Sequence, residues 1–210
     1  MPATLYLVRH GETDDNVSGV PQGRRDVPLN AVGRAQTVAV ATWFGERPLA
    51  AVAASPASRA RAAAELVAEP RGLTVEVDQR LAEFDQGELD GLTPEEMRER
   101  YADFLVRWRG EDPTDLRMPG GETFGEVQAR MVAACEELAA RHPGAAVAVA
   151  SHNLALKAAL CHALGAPLSA FRRIRIDLAS VTTVDIEPGE WWRVSTLNER
   201  CHVAELAENR

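Results

Sequence analysis

The chain is poor in several things, and each shortage removes a class of function. Of its 23 basic residues only Lys157 is a lysine, and 31 acidic residues leave a formal net charge of −8. Following a nucleic-acid backbone takes a surplus of positive charge, so nucleic acid is not expected as a partner. The three cysteines in 210 residues, Cys135, Cys161 and Cys201, lie far apart and form neither a C-x-x-C nor a zinc pattern. They read as reduced, buried thiols of a cytoplasmic protein, and no metal-ligand cluster stands out. No apolar run approaches the ~20 residues of a membrane span. Nor does the N-terminus show a basic stretch, an apolar stretch and a cleavage site in that order. Repeats and low-complexity linkers are missing, so one domain over residues 1–210 is expected, burying roughly 70% of its unfolded surface.

What is present begins almost at once. Thr4, Leu5, Tyr6, Leu7 and Val8 form an apolar, β-prone run, the composition of a strand buried on both faces. It stops at Arg9-His10-Gly11, where Gly11 permits a sharp turn and a close approach of a ligand to the backbone. A permanent cation and an imidazole thus sit at the carboxyl end of a central strand, where open α/β sheets bind ligands. Arg-His alone is commonplace. The five residues Arg9-His10-Gly11-Glu12-Thr13 together are a chance match on the order of one in ten thousand.

The same grammar recurs. An apolar run over 49–54 ends at Ser55-Pro56-Ala57-Ser58-Arg59-Ala60, with Ser55 as N-cap and Pro56 as the first helical residue. That places Arg59 in a first helical turn, where free N–H groups and the dipole already favour an anion; Arg61 reads as a solvated surface residue. A third apolar run over 145–150 ends at Ser151-His152-Asn153 and leads into a helix over 154–164. His142, His162 and His202 carry no such context and read as ordinary.

Between these segments lies a polar loop over 14–30, longer than a connection needs to be. Asn16, Gln22, Gly23 and Arg24 lie in it, close in sequence to His10; Arg25 and Asp26 read as turn chemistry. A short strand over 74–77 precedes Leu81-Ala82-Glu83-Phe84-Asp85-Gln86-Gly87. There Glu83 sits between apolar neighbours, a setting that suits a proton donor. Asp85 and Glu88 compete for that role on the sequence alone.

The remaining signals are structural. Asn30 caps a helix with Val32, Ala35, Ala39 and Trp43 on one face, ending near Gly45. Capping boxes at Thr93/Glu96 and Thr123/Glu126 start a helical region running to about 108 and a long helix running to about 141. Phe124, Val127, Met131, Cys135 and Leu138 form the core stripe of the second. Residues 83–121 read as a helical and loop excursion covering the site, and 180–186 with 191–196 as a hairpin closing a sheet edge. The tail over 198–210 reads as peripheral. The class is α/β, a three-layer sandwich with a mostly parallel central sheet between helices.

Four segments in order, Arg9-His10-Gly11, Ser55 to Ala60, Leu81 to Gly87 and His152, make the chain resemble the histidine phosphatase (phosphoglycerate mutase-like) superfamily over residues 5–196, within its small phosphatase branch. The resemblance implies that His10 is phosphorylated during turnover and that Glu83, rather than Asp85 or Glu88, is the proton donor. It places Arg9, Arg59 and His152 on the transferred phosphate, with Asn16, Gln22 and Gly23 lining the pocket and Pro119-Gly120-Gly121-Glu122 at its rim. Asn153 stands beside them where the family has glycine. The expected activity is metal-independent hydrolysis of a small phosphorylated metabolite, with no cofactor and no metal. Mutases of the family are longer and carry more positive charge, so a phosphoglycerate mutase-type transfer is the second reading and a non-catalytic phospholigand-binding module the third. Nicotinamide chemistry is excluded because no Gly-x-Gly-x-x-Gly turn follows the first strand. A homodimer is compatible with the sequence, which does not itself encode an oligomeric state.

Overall fold

Residues Ala3–Arg9 form strand β1, whose side chains alternate between two buried faces. Leu5 and Leu7 enter one core while Tyr6 and Val8 enter the other, as a strand covered on both sides must. The computed structural model, which describes residues 1–110 and 112–204, continues with α1 (Asp14–Ser18), α2 (Ala31–Phe44), β2 (Ala51–Ala54), α3 (Ser58–Ala68) and β3 (Val75–Val77). Then follow α4 (Pro94–Arg100), α5 (Ala102–Gly110), α6 (Phe124–Arg141), β4 (Ala146–Ser151), α7 (Asn153–Ala163) and the hairpin β5 (Val181–Glu187) and β6 (Trp191–Glu199). Residues 205–210 of the tail and Glu111 in the 110–121 loop lie outside the described residues.

The six strands form one sheet of order β3-β2-β4-β1-β5-β6. The first four are mutually parallel, and β5 and β6 add antiparallel pairs, so β6 closes one edge. Helices α6 and α7 pack Phe124, Val127, Met131, Leu156 and Leu160 onto the Leu5, Leu7, Val147 and Val149 face. Helices α2 and α3 pack Val40, Phe44, Ala64 and Val67 onto the Val8, Val52, Ala148 and Ala150 face. Each such Val, Leu, Phe or Met side chain stabilises by about 1.5–3 kcal/mol when fully buried. Trp43 belongs with the second core, edge-on to Tyr6 at 5.7 Å and to Phe44 at 5.1 Å. Among the described residues no helix is long and apolar enough to cross a membrane.

Capping explains where the helices start. Asn30 accepts from the Gly33 N–H, and Thr93 and Thr123 both complete capping boxes. Two helix boundaries need comment. The helical region expected to run to about 108 is two helices, separated at Tyr101, whose hydroxyl donates to Glu88 across 13 residues at 2.7 Å. Helix α3 starts at Ser58 rather than Pro56, with Ala57 as an N-cap that makes no side-chain bond. The loop supplies the missing cap, for Asp26 Oδ1 accepts from both the N–H and the hydroxyl of Ser58 at 2.8 Å.

Parallel register brings the strand ends together. Arg9 faces Ser151 and Ala54 faces Ala150, so His10, Ser55 and His152 leave the sheet side by side.

Candidate active site

His10 is held by its backbone before its ring does anything. Its N–H donates to the Ser151 carbonyl at 3.1 Å and its carbonyl accepts from Ala179 at 3.1 Å. The buried ring sets Nδ1 2.7 Å from the Gly11 carbonyl oxygen. A carbonyl only accepts, so Nδ1 carries the hydrogen and a neutral ring presents its lone pair on Nε2. Burial first, and then the charges of Arg9 and Arg59, push the His10 pKa well below 6.5, against the opposing pull of the Gly11 carbonyl.

Around that ring stand the other predicted groups. His152 is fully buried with its ring centroid 5.2 Å from that of His10. Its Nε2 lies 2.7 Å from the Ser55 hydroxyl, and its Nδ1 is buried with no partner. Burial, then His10, Arg59 and Arg9, hold its pKa well below 6.5 as well. Ser55, predicted as a helix cap, instead orients this second histidine. Arg59 is completely buried, giving Nη1 to the Arg25 carbonyl at 2.8 Å and Nη2 to the Gln22 carbonyl at 3.1 Å, with Nε unpartnered. Arg9 donates Nη1 to the Ile176 carbonyl at 2.7 Å and also leaves Nε buried and unpartnered. Desolvation lowers the pKa of Arg9 to about 10 and lowers that of Arg59, with Glu83 opposing in both. The guanidinium ions of Arg59 and Arg9 and two neutral imidazoles thus share one pocket, a positively charged setting that suits an oxyanion.

Glu83 is buried, as expected, but not among apolar side chains alone. Oε1 accepts from the N–H groups of Phe84 at 2.8 Å and Ala155 at 2.9 Å, and Oε2 from Leu154 at 3.1 Å. The carboxyl group therefore sits on the first turn of α7, whose orphan N–H groups fix the position of both its oxygens. Its backbone is fixed from behind by Arg130, which donates to the carbonyls of Ala82 at 2.6 Å and Glu83 at 2.9 Å while pairing with Glu122. A cavity of about 230 Å³ opens beside Glu83, lined also by Ser55, Ala57, Gly23, Arg24 and Gln79.

The loop residues differ more from expectation. Asn16 spends its amide oxygen in the α1 capping box on Thr13, so its amide nitrogen is the group left for a ligand. Gln22 is buried with Oε1 unpartnered. Gly23 gives its N–H to Asp90 at 2.9 Å, and a Cβ there would stand 2.7 Å from the Phe84 carbonyl oxygen. Gly23 thus provides room for the loop to lie against Glu83's neighbour rather than a donor. Asp90 also accepts from the N–H groups of Arg24 and Arg25, at 2.8 and 3.0 Å, pinning the loop to the excursion. Asn153 is the first helical residue of α7, not left-handed, with Oδ1 buried and unpartnered. A glycine's conformational freedom is not required there.

Gly11 turns out to have another reason. A Cβ on it would lie 2.4 Å from the Gly33 carbonyl oxygen, and one on Gly33 would lie 2.0 Å from that of Glu12. The two backbones cross in contact, so Gly11 admits α2, not a ligand. Glu12, assigned no role by the sequence, is buried there; it accepts from Asn30 Nδ2 at 3.0 Å, and its N–H donates to Gln36. Arg61 is exposed as predicted, and Asp85 and Glu88 serve the loop, accepting from the Gly87 N–H and the Tyr101 hydroxyl. Sequence reasoning missed Ser55 as the partner of His152, together with Asp90 and Arg130. All three act across 47 to 97 residues, and nothing local marks them.

Comparison with known proteins places this arrangement. The model of the histidine phosphatase superfamily (branch 1) matches residues 5–200. A protein described as a probable phosphoglycerate mutase from Shigella boydii is 35% identical over 208 residues, covering 95% of this chain and 94% of that one. Phosphoserine phosphatase 1 of Hydrogenobacter thermophilus is 33% identical over 202 residues, covering 96% and 95%. The solved structure of YhfR from Bacillus stearothermophilus superposes with a TM-score of 0.89 at 30% identity, covering 96% of this chain and 99% of that one.

Proposed function

This chain belongs to the histidine phosphatase superfamily, and from that premise we propose that it hydrolyses a small phosphate monoester through a phosphohistidine at His10. One observation carries the reading: the Nδ1–H bond to the Gly11 carbonyl leaves a neutral ring with its lone pair on Nε2, inside a pocket that holds the buried Arg59 and the half-buried Arg9. Nε2 attacks phosphorus, and the bond from phosphorus to the alcohol oxygen breaks as the N–P bond forms. Arg9, Arg59 and His152 take the phosphoryl oxygens, with the amide nitrogens of Asn16 and Gln22 and the helix start at Asn153 as further donors. Glu83 in its acid form protonates the departing alkoxide. Water then enters, Glu83 takes its proton, and phosphate leaves as the N–P electron pair returns to Nε2. Charge neutralisation falls to guanidinium ions, so the chemistry asks for no metal.

Similarity to the Shigella protein favours a second reading, in which the phosphoryl group returns to a bound product as in a mutase. Both share the phosphohistidine and differ in the acceptor. The test is rapid quench of the enzyme with a labelled phosphate monoester in excess chelator. Label should appear on a base-stable, acid-labile phosphohistidine and pass to inorganic phosphate. His10→Ala should lose the label and slow turnover by at least about 10⁴-fold, as removal of a nucleophile does. Label on another residue, or turnover unchanged in the variant, refutes the assignment. Label passing to a second phosphoglycerate instead of water establishes the mutase.

A further inference from the structure

Away from this pocket, the end of β6 gathers three groups of a different chemistry. A carboxylate oxygen of Glu199, the thiol sulfur of Cys201 and a ring nitrogen of His202 all lie within 4.8 Å of one another. The sequence showed no such cluster, because a Glu-x-Cys-His run matches no spaced zinc pattern. Cys201, expected to be buried like Cys135 and Cys161, is exposed. His202 gives the strongest indication. Its Nε2 lies 2.8 Å from the Ala179 carbonyl oxygen, while its Nδ1 is buried with no partner. The carbonyl fixes the tautomer: Nε2 carries the hydrogen and Nδ1 the free lone pair, the orientation that metal-bound histidines take from an outer partner.

We infer that Glu199, Cys201 and His202 bind one thiophilic divalent cation of the zinc type, at a site separate from the phosphatase pocket. Tetrahedral coordination at about 2.0–2.3 Å sets ligand atoms roughly 3.3–3.8 Å apart, so ligand atoms as far apart as 4.8 Å close by about 1 Å on binding. Glu199 Oε1 accepts from the Cys201 N–H at 2.7 Å, which already holds the carboxylate beside the exposed thiol. Arg200, the residue between them, turns its guanidinium to Asp177 at 3.5 Å. Binding forms a metal–sulfur bond and releases the Cys201 thiol proton to solvent. Solvent supplies the fourth ligand. The mix of thiolate, imidazole and carboxylate selects zinc, cobalt or copper over magnesium or calcium.

Cobalt titration of the full chain under reducing conditions tests the site. One equivalent should bind with thiolate-to-cobalt charge-transfer absorption in the near ultraviolet, zinc should displace it, and magnesium should not. Cys201→Ser should remove that absorption. Glu199→Gln and Cys201→Ser should each weaken zinc by at least about tenfold, the smaller end of what even outer partners contribute. Both should hydrolyse p-nitrophenyl phosphate in chelator like the parent chain, since neither residue belongs to the His10 pocket. Charge transfer that survives in Cys201→Ser would point to Cys135 or Cys161 and overturn the site, as would the absence of saturable one-to-one uptake.

Discussion

Two neutral histidines buried at one site make the fold sensitive to mild acid. An unfolded imidazole titrates near 6.5, whereas burial and the neighbouring arginines hold His10 and His152 well below that value in the folded chain. Below pH 6.5 the unfolded chain therefore binds protons that the folded chain refuses, and stability falls with pH. The contribution is fully present above 6.5 and is lost steadily until the folded values are reached. Between pH 7.5 and 5.5 each histidine costs about 1.4 kcal/mol, so the pair costs about 2.7 kcal/mol, a large share of the 5–15 kcal/mol typical of a domain. His202, lowered by its own burial, acts in the same direction. The carboxylates of Glu122 and Asp177, lowered by Arg130 and by Asn198 and Arg175, weaken only at more acid pH and leave this window clear. Urea midpoints and m-values at pH 7.5, 6.5 and 5.5 measure the loss, in buffers free of phosphate so that no ligand props up the pocket. His152→Gln should reduce it by about 1.4 kcal/mol, whatever its effect at neutral pH. A parent chain that loses less than about 0.5 kcal/mol, or a variant that loses as much as the parent, would refute the reasoning.

Glu83→Gln keeps the side-chain shape but sets an amide against three N–H donors; it should slow hydrolysis of an alkyl phosphate by about 10²–10⁴-fold. Hydrolysis of p-nitrophenyl phosphate, whose leaving group needs little protonation, should fall much less, and an equal loss for both would remove the acid role. Gly33→Ala forces a Cβ to 2.0 Å from the Glu12 carbonyl, backbone against backbone, and should destabilise by about 1–3 kcal/mol or more, read as a lower melting temperature. A melting temperature equal to the parent's would show that α2 moves aside freely. Since His10 is neutral well below pH 6.5, kcat/KM corrected for substrate ionisation should show no loss of nucleophile between pH 7 and 5.5. An acid limb with its midpoint near 6.5 would mean that the ring titrates as if exposed.

Much of the architecture was legible because its causes are local. The apolar runs that became β1, β2 and β4 are near-continuous because both faces of the sheet are covered, and three of the four site segments follow such runs. Thr93 and Thr123 marked helix starts through bonds that span three residues. The hairpin of β5 and β6 turned where Pro188-Gly189 said it should. The break at Tyr101 and the start of α3 were not legible, since a hydroxyl on Glu88 and a carboxylate from Asp26 decide them from elsewhere in the chain.

By itself, then, the sequence determined the order of the strands and of the longer helices, though not α1 within the loop over 14–30, and the placing of Arg9, His10 and His152 at strand ends, because periodicity and capping act within a few residues. Only the tertiary structure decided what those groups touch. It put Ser55 on His152, the first turn of α7 under Glu83, and Gly33 against Gly11. Such contacts depend on the register of strands and the approach of helices, which many distant residues fix together. No short stretch of chain encodes them.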